Sequence, residues 1–524
     1  MILGQSSSKH MATAASAGRA TLDDMFRRAA ARRPKAMALM DAPNRESFTD
    51  GAPRQLTYAQ ADRVISAIAG RLNRMGLQTD SVVGVQMPNT VESVLTFLGI
   101  LRAGLIAAPL PLLWRGADVV AALSRLGAKA LITSARVGAV DHGDLAVHMA
   151  AEIFPIRYVC GFGSRVPDGV VPFDDLFALE KLDPLPGIDR AVNPAAHLAL
   201  VTWDVSADGL VPVARNHFEM LAAGLAVILE GRIAQDATIL SAIAMSSFAG
   251  IALSIVPWLV SGGTLSLHHP FDAETFAEQR RDHQCHTVVL PGQVVSRLAD
   301  AGVLAGRHGF GRDGLKTVIA AWRAPERVTA SPVWRDSAAS LVDVHIFGET
   351  ALLAASRGAN GKPSPISLGP VTAPRAAAGA VLVVEIQRTA TGTVALRGPM
   401  VPRFPYPPGA ERGSAPYLQI GTDGLVDTGY TCRVDRDTQA VVVTGPPPGI
   451  VSFGGYRFVL RELQELLTRV GNDSTLTALP DALGGQRLAG TASDRDRVQV
   501  ELKGLGVNPL IVDAFRERRP AAAP

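Results

Sequence analysis

Between Leu56 and Thr133 the apolar positions switch repeatedly between two patterns. Helical spacing runs over Tyr58 to Met75, Val91 to Ala103 and Ala117 to Leu126, while short continuous apolar runs cover Ser81 to Met87, Leu105 to Pro109 and Ala128 to Thr133. Strands that alternate with helices predict βαβ units and a largely parallel sheet. A second block repeats the alternation. It has helices at Phe218 to Ile228, Gly250 to Val260 and Ala273 to Asp282, and strands at Thr238 to Ala242, Thr264 to Leu267 and Thr287 to Leu290. The two blocks read as paired α/β lobes. After about Pro370 the pattern becomes β-branched runs separated by Gly and Pro, as in Ala380 to Gln387, Gly392 to Arg397 and Ala440 to Thr444. Antiparallel strands are the natural reading. Gly445-Pro446-Pro447-Pro448-Gly449 continues neither element, because proline removes ladder donors and fixes φ. A domain boundary is expected there, giving a large unit over 21–444 and a small one over 445–524 that begins with a strand-helix unit, Tyr456 to Val470.

With 524 residues and 47% hydrophobic residues the chain is long enough for two or more packed units. The first twenty residues are small and polar and read as a disordered stretch or leader outside the fold. Ala237 to Leu267 carries no charge. Its serines, Pro257 and Gly262-Gly263 favour a buried helix followed by a buried strand over a transmembrane span. The formal charge of +3 offers no footprint for nucleic acid and points to a small-molecule partner. Only seven lysines occur: Lys9, Lys35, Lys129, Lys181, Lys316, Lys362 and Lys503. Cys160, Cys285 and Cys432 form no metal or disulfide pattern, which fits a reducing cytoplasm.

Four ordered blocks carry a family resemblance. The stretch from Leu56 to Leu110 (LTYAQADRVISAIAG…GILRAGLIAAPL), TGTVALRGPMV from Thr391, DGLVDTGY from Asp423 and GGYRFVLRELQELL from Gly454 resemble the adenylate-forming, AMP-dependent acyl-CoA synthetases. The resemblance spans roughly Leu56 to Leu467. It implies an α/β fold: a large N-terminal domain of stacked α/β subdomains with a β-rich one, and a small, mobile α+β C-terminal lid, here truncated. It also implies ATP, Mg²⁺ and coenzyme A as cofactors. In this family an acyl or other carboxylate attacks the α-phosphate of ATP and then forms a thioester. Such chemistry depends on positioned cations and phosphate-cradling backbone.

The same resemblance locates what has been replaced. The family's phosphate loop aligns with WDVSADGLVP, in which Ser206 keeps a hydroxyl, Val211 stands for the lysine, and Asp204 and Asp208 add negative charge. In FGETA, Phe347, Gly348 and Thr350 survive as nucleotide-binding candidates, while Ala351 replaces the Mg²⁺ carboxylate. A methyl group cannot ligate that cation; Glu349, two positions earlier, substitutes only if the loop is remodelled. Tyr430 replaces the ribose aspartate and Ser452 the hinge lysine, whereas Gly455 and Arg457 remain as lid and thioester candidates. No motif with the C-terminal catalytic lysine is present. Ser247, where the family often has histidine, together with Phe248 and Gly250, is the acyl-pocket candidate. An alignment anchored on Ala324-Pro325 sets Trp322 and Arg323 at two glycines that line the nucleotide; a register slip of one or two residues is the alternative reading.

Two functions follow. One is an acid-CoA ligase whose activity is weak or lost. The other is a pseudoenzyme that holds an acyl, acyl-CoA or carrier-linked ligand, or a partner enzyme. No metal site is expected from His217 or from His268-His269, and the glycine-rich GRHGFGRDG from Gly306 reads as a loop.

Overall fold

The computed structural model describes residues 18–179, 183–188, 193–304, 314–335, 339–376, 379–453, 455–471, 473–481 and 485–516. The glycine-rich segment lies outside these residues except for Gly314, as does the leader before Gly18.

Two parallel-rich sheets form the body. The eight-stranded sheet runs, in spatial order, Ala351–Ser356, Ser340–Phe347, Thr317–Trp322, Thr287–Pro291, Thr238–Ser241, Thr264–Leu267, Met37–Met40 and Gln55–Thr57. Only its two edge pairs are antiparallel. The seven-stranded sheet is Gly209–Asn216, Leu198–Ser206, Ile106–Pro109, Val82–Gln86, Ala130–Ser134, Tyr158–Phe162 and Val170–Pro172. All but its first pair are parallel. One apolar cluster, including Phe97, Ile68, Phe248 and Trp258, joins the two sheets through their helices. Helix Val91–Arg102 is buried along its whole length. Its one acidic group, Glu92, accepts hydrogen bonds from Arg45 (2.7 Å) and Arg54 (2.5 Å), which offset the cost of taking a carboxylate out of water.

Local chemistry explains most element ends. Thr57 and Gln60 close a capping box on helix Tyr58–Arg74, and Asn216 and Glu219 do the same for His217–Gly231. The helical run after Ser247 is irregular: one α turn, Phe248–Gly250, a wide π turn, Ile251–Ile255, and then Val256–Ser261. Pro257 lacks the N–H that would bond the Leu253 carbonyl, so a relaxed turn precedes it. Gly250 is required for close approach, because a Cβ there would lie 1.9 Å from the Ala244 carbonyl oxygen.

A six-stranded antiparallel sheet follows, ordered Ile366–Ser367, Ala440–Gly445, Val426–Val434, Thr393–Arg397, Gly379–Arg388 and Gly369–Ala376. Beyond the prolines come hairpin Ile450–Phe453/Tyr456–Val459, helix Leu460–Val470, hairpin Thr475–Asp481/Gly485–Thr491 and helix Arg495–Gly504. These C-terminal elements bury a cluster of their own around Leu467, Leu502 and Phe515. Among the described residues no helix is long and apolar enough to cross a membrane.

Candidate functional site

The stretch aligned with a phosphate loop is a tight hairpin. Leu198–Ser206 pairs antiparallel with Gly209–Asn216, and Ser206 faces Gly209 across a two-residue turn, Ala207-Asp208. The positive φ falls on Gly209, the first residue of the returning strand, at 122°. The backbone amides are therefore occupied in a ladder rather than gathered around an anion. The Ser206 hydroxyl bonds within the turn, to the Gly209 carbonyl (3.2 Å) and from the Asp208 amide (3.3 Å). Val211 is buried, at 4% exposure.

Asp204 projects from this hairpin and organises its surroundings. Its carboxylate accepts from its neighbour's amide, Val205 (2.7 Å), and from the Glu349 amide (2.7 Å), and it forms an ion pair with Arg457 of the C-terminal hairpin. Gly348 lies directly beneath the pair, at φ 57°. A Cβ there would come 2.2 Å from Asp204 Oδ2 and 2.7 Å from Arg457 Nη1. Burial opposes the charge on Arg457, but Asp204, Tyr430 and Glu349 around it raise its pKa above the ordinary value.

Tyr430 is 2% exposed. Its ring meets Phe347 edge-on, with the Arg457 guanidinium 5.7 Å from the ring centroid. Phe347 is itself 1% exposed, so the aromatic expected to stack on adenine is packed against protein. Ala351 is fully buried at the start of an edge strand. Glu349 does not take its place: Glu349 Oε2 accepts from the Phe248 amide at 2.7 Å, and burial raises its pKa. Thr350 is buried and its carbonyl accepts from Arg215.

Arg215, the cation near the replaced lysine that could reach toward a phosphate, is held inside the protein instead. It is fully buried, lies 3.8 Å over the Phe248 ring, and donates to the carbonyls of Glu349 and Thr350. Its Nε and Nη1 have no partner among the described residues, and burial lowers its pKa to about 10. Trp322 packs against Gly292 and donates to Asp343 at 2.8 Å. Arg323 bridges to Ser247 and donates to the Gly455 carbonyl at 3.0 Å. Ser247 also caps the turn at Gly250, while Phe248 is buried beneath Arg215. Ser452 lies across from Arg457 in the C-terminal hairpin. A neighbouring apolar cavity, with room for about one water molecule, is lined by Val85, Phe97, Ala107, Leu110, Met245 and Ser246 among others, but not by Ser247, Phe248 or Gly250.

The histidines serve the fold. His217 Nδ1 accepts from the Leu22 amide (3.3 Å), and His268 bonds Gln279 (2.8 Å).

Residues 26–166 match the family model described as AMP-binding enzyme. The chain is 35% identical over 109 residues to the nonribosomal peptide synthetase kk1B of Curvularia clavata, and 30% over 167 residues to long-chain fatty acid transport protein 1 of Bos taurus. These segments cover 21% and 32% of this chain but 1% and 23% of those proteins, so the chain spans under a quarter of either relative. Among solved structures it resembles the amide bond synthetase McbA from Marinactinospora thermotolerans (TM-score 0.68, 17% identity, 94% of each chain). It also resembles apo MbtA from Mycobacterium smegmatis (TM-score 0.63, 18% identity, 96% of this chain and 92% of that one). At such identities these likenesses show the fold. The chain has the fold of adenylate-forming enzymes, with the AMP-binding match lying in residues 26–166.

Proposed function

We propose that this chain keeps the adenylate-forming framework but does not activate acids with ATP at an ordinary rate, and that it acts as a pseudoenzyme holding a small acyl or carboxylate ligand. The family implies ATP and Mg²⁺, and the residues at the aligned positions do not fit them. Asp204 and Asp208 repel a triphosphate, Val211 and Ala351 supply neither cation nor oxygen ligand, and Tyr430 fills the ribose side. Losing one preorganised electrostatic contact costs about a hundredfold to a thousandfold in rate, and several are absent together. The observation that carries the reading is the Asp204–Arg457 ion pair over Gly348, with Tyr430 packed beside it, which joins the aligned phosphate-loop hairpin to the C-terminal hairpin.

An acyl ligand is favoured by the apolar lining beside Met245 and Ser246 and not by open space, since the cavity there has room for about one water molecule. Coenzyme A and a carrier or partner enzyme remain part of the proposal through the retained Gly455 and Arg457 frame, and a cytoplasmic setting goes with it.

The test is acid-dependent ATP–pyrophosphate exchange across fatty, aryl and amino acids, with thermal shifts for short acyl ligands and acyl-CoA run alongside. No exchange above background, with stabilisation by an acyl ligand, is expected. Exchange at rates typical of a ligase would overturn the proposal.

A further inference from the structure

The C-terminal elements are tied to the body by groups that need no ligand between them. Arg457 pairs with Asp204, and both side chains are nearly desolvated, 13% and 14% exposed. Arg323 reaches from the eight-stranded sheet to the Gly455 carbonyl. Tyr456 accepts from the Leu113 amide at 3.2 Å, and the Gly506 carbonyl accepts from the Ala117 amide at 3.3 Å. The contacts thus fall on both C-terminal hairpin and C-terminal helix region, far enough apart to resist rotation about any one of them. Gly348 is the geometric condition for the central pair, since any side chain there would strike both partners.

We infer that the C-terminal unit is latched closed by the Asp204–Arg457 pair, with Arg323 as a second tie, so that the protein holds one closed arrangement in the absence of nucleotide. A buried pair whose partner is removed leaves an uncompensated charge, which draws water and favours separation of the two surfaces. The inference rests on these contacts and stands apart from whether acids are activated.

Distances between spin labels test it on the full chain. Phe154→Cys on the body and Val500→Cys on the C-terminal unit are exposed at 86% and 69%, whereas the three native cysteines are buried, so labelling is selective. The expected result without ligand is a single narrow distance distribution. Arg457→Ala should broaden it or add a longer-distance population, and the charge exchange Asp204→Arg with Arg457→Asp should narrow it again. Asp204→Asn and Arg457→Lys carry the test should the alanine variant not fold. A broad or two-population distribution in the unsubstituted protein, or one unchanged by all of the single substitutions, would overturn the latch. ATP–pyrophosphate exchange measured on the same labelled protein separates the two ideas: a narrow distribution together with exchange sinks the functional proposal and leaves the latch standing.

Discussion

Tyr430 stands edge-on to Phe347, with ring centroids 5.6 Å apart and planes at 90°. The two rings thus hold each other inside the protein. Tyr430 also bonds through its hydroxyl to the Arg323 carbonyl at 3.4 Å, a long contact that adds little beside the ring packing.

Tyr430→Ala removes a buried aromatic ring and should destabilise the protein by about 3–5 kcal/mol in urea unfolding, the usual range for emptying such a site. It should not bring ATP–pyrophosphate exchange with it, because the missing cations are elsewhere. A loss below about 1 kcal/mol would mean that the ring is not packed as described.

Gly348→Ala meets two penalties at once: a left-handed backbone at φ 57° and a Cβ in the path of the Asp204–Arg457 pair. Together these are worth about 2–4 kcal/mol. A neutral outcome in chemical denaturation would argue against the pair.

Glu219 offers a pH test. Its carboxyl is buried at the start of helix His217–Gly231, and burial pushes its pKa from 4.5 to about 7, against the pull of Arg215 and the Asn216 amide. The folded state therefore binds the proton more tightly than the unfolded one, so this group's contribution to stability falls as pH rises from about 4.5 through 7. Glu219→Gln keeps the capping oxygen and removes the titration. Its stability should exceed that of the unsubstituted protein by up to about 3 kcal/mol at pH 8, with the gain vanishing near pH 4. A difference that does not change with pH would refute the assignment.

Val211→Lys restores the family's cation in name only. The side chain sits in a hairpin strand opposite Asp204, in a ladder that offers no amide nest to a phosphate. We expect no exchange activity and no calorimetric signal for ATP–Mg²⁺; clear binding would show that the single lysine is the deciding loss.

Period and punctuation carried most of the fold. Strand Thr264–Leu267 and helix Ala273–Asp282 begin and end where the pattern of apolar residues puts them, and in the structure Asp272 caps that helix. The prolines at 446–448 separate strand Ala440–Gly445 from the next hairpin, beginning at Ile450. The hairpin at Leu198–Asn216 was less visible, since reading it against a loop motif obscured its own strand pattern and its Asp-Gly turn. Val211, Ala351, Tyr430 and Ser452 were singled out by their place beside motif residues, and the proposed loss of the ATP site depends on that alignment.

What the amino-acid sequence determined alone was therefore the α/β framework and the order of its elements. Only the tertiary structure decided what the altered residues do together. Asp204 appears in the chain as a charge hostile to phosphate and Arg457 as a remnant of a lid, 253 residues away. Their pairing depends on a glycine at 348 leaving room between a hairpin and a loop, and no local periodicity encodes a contact made by side chains from three distant segments.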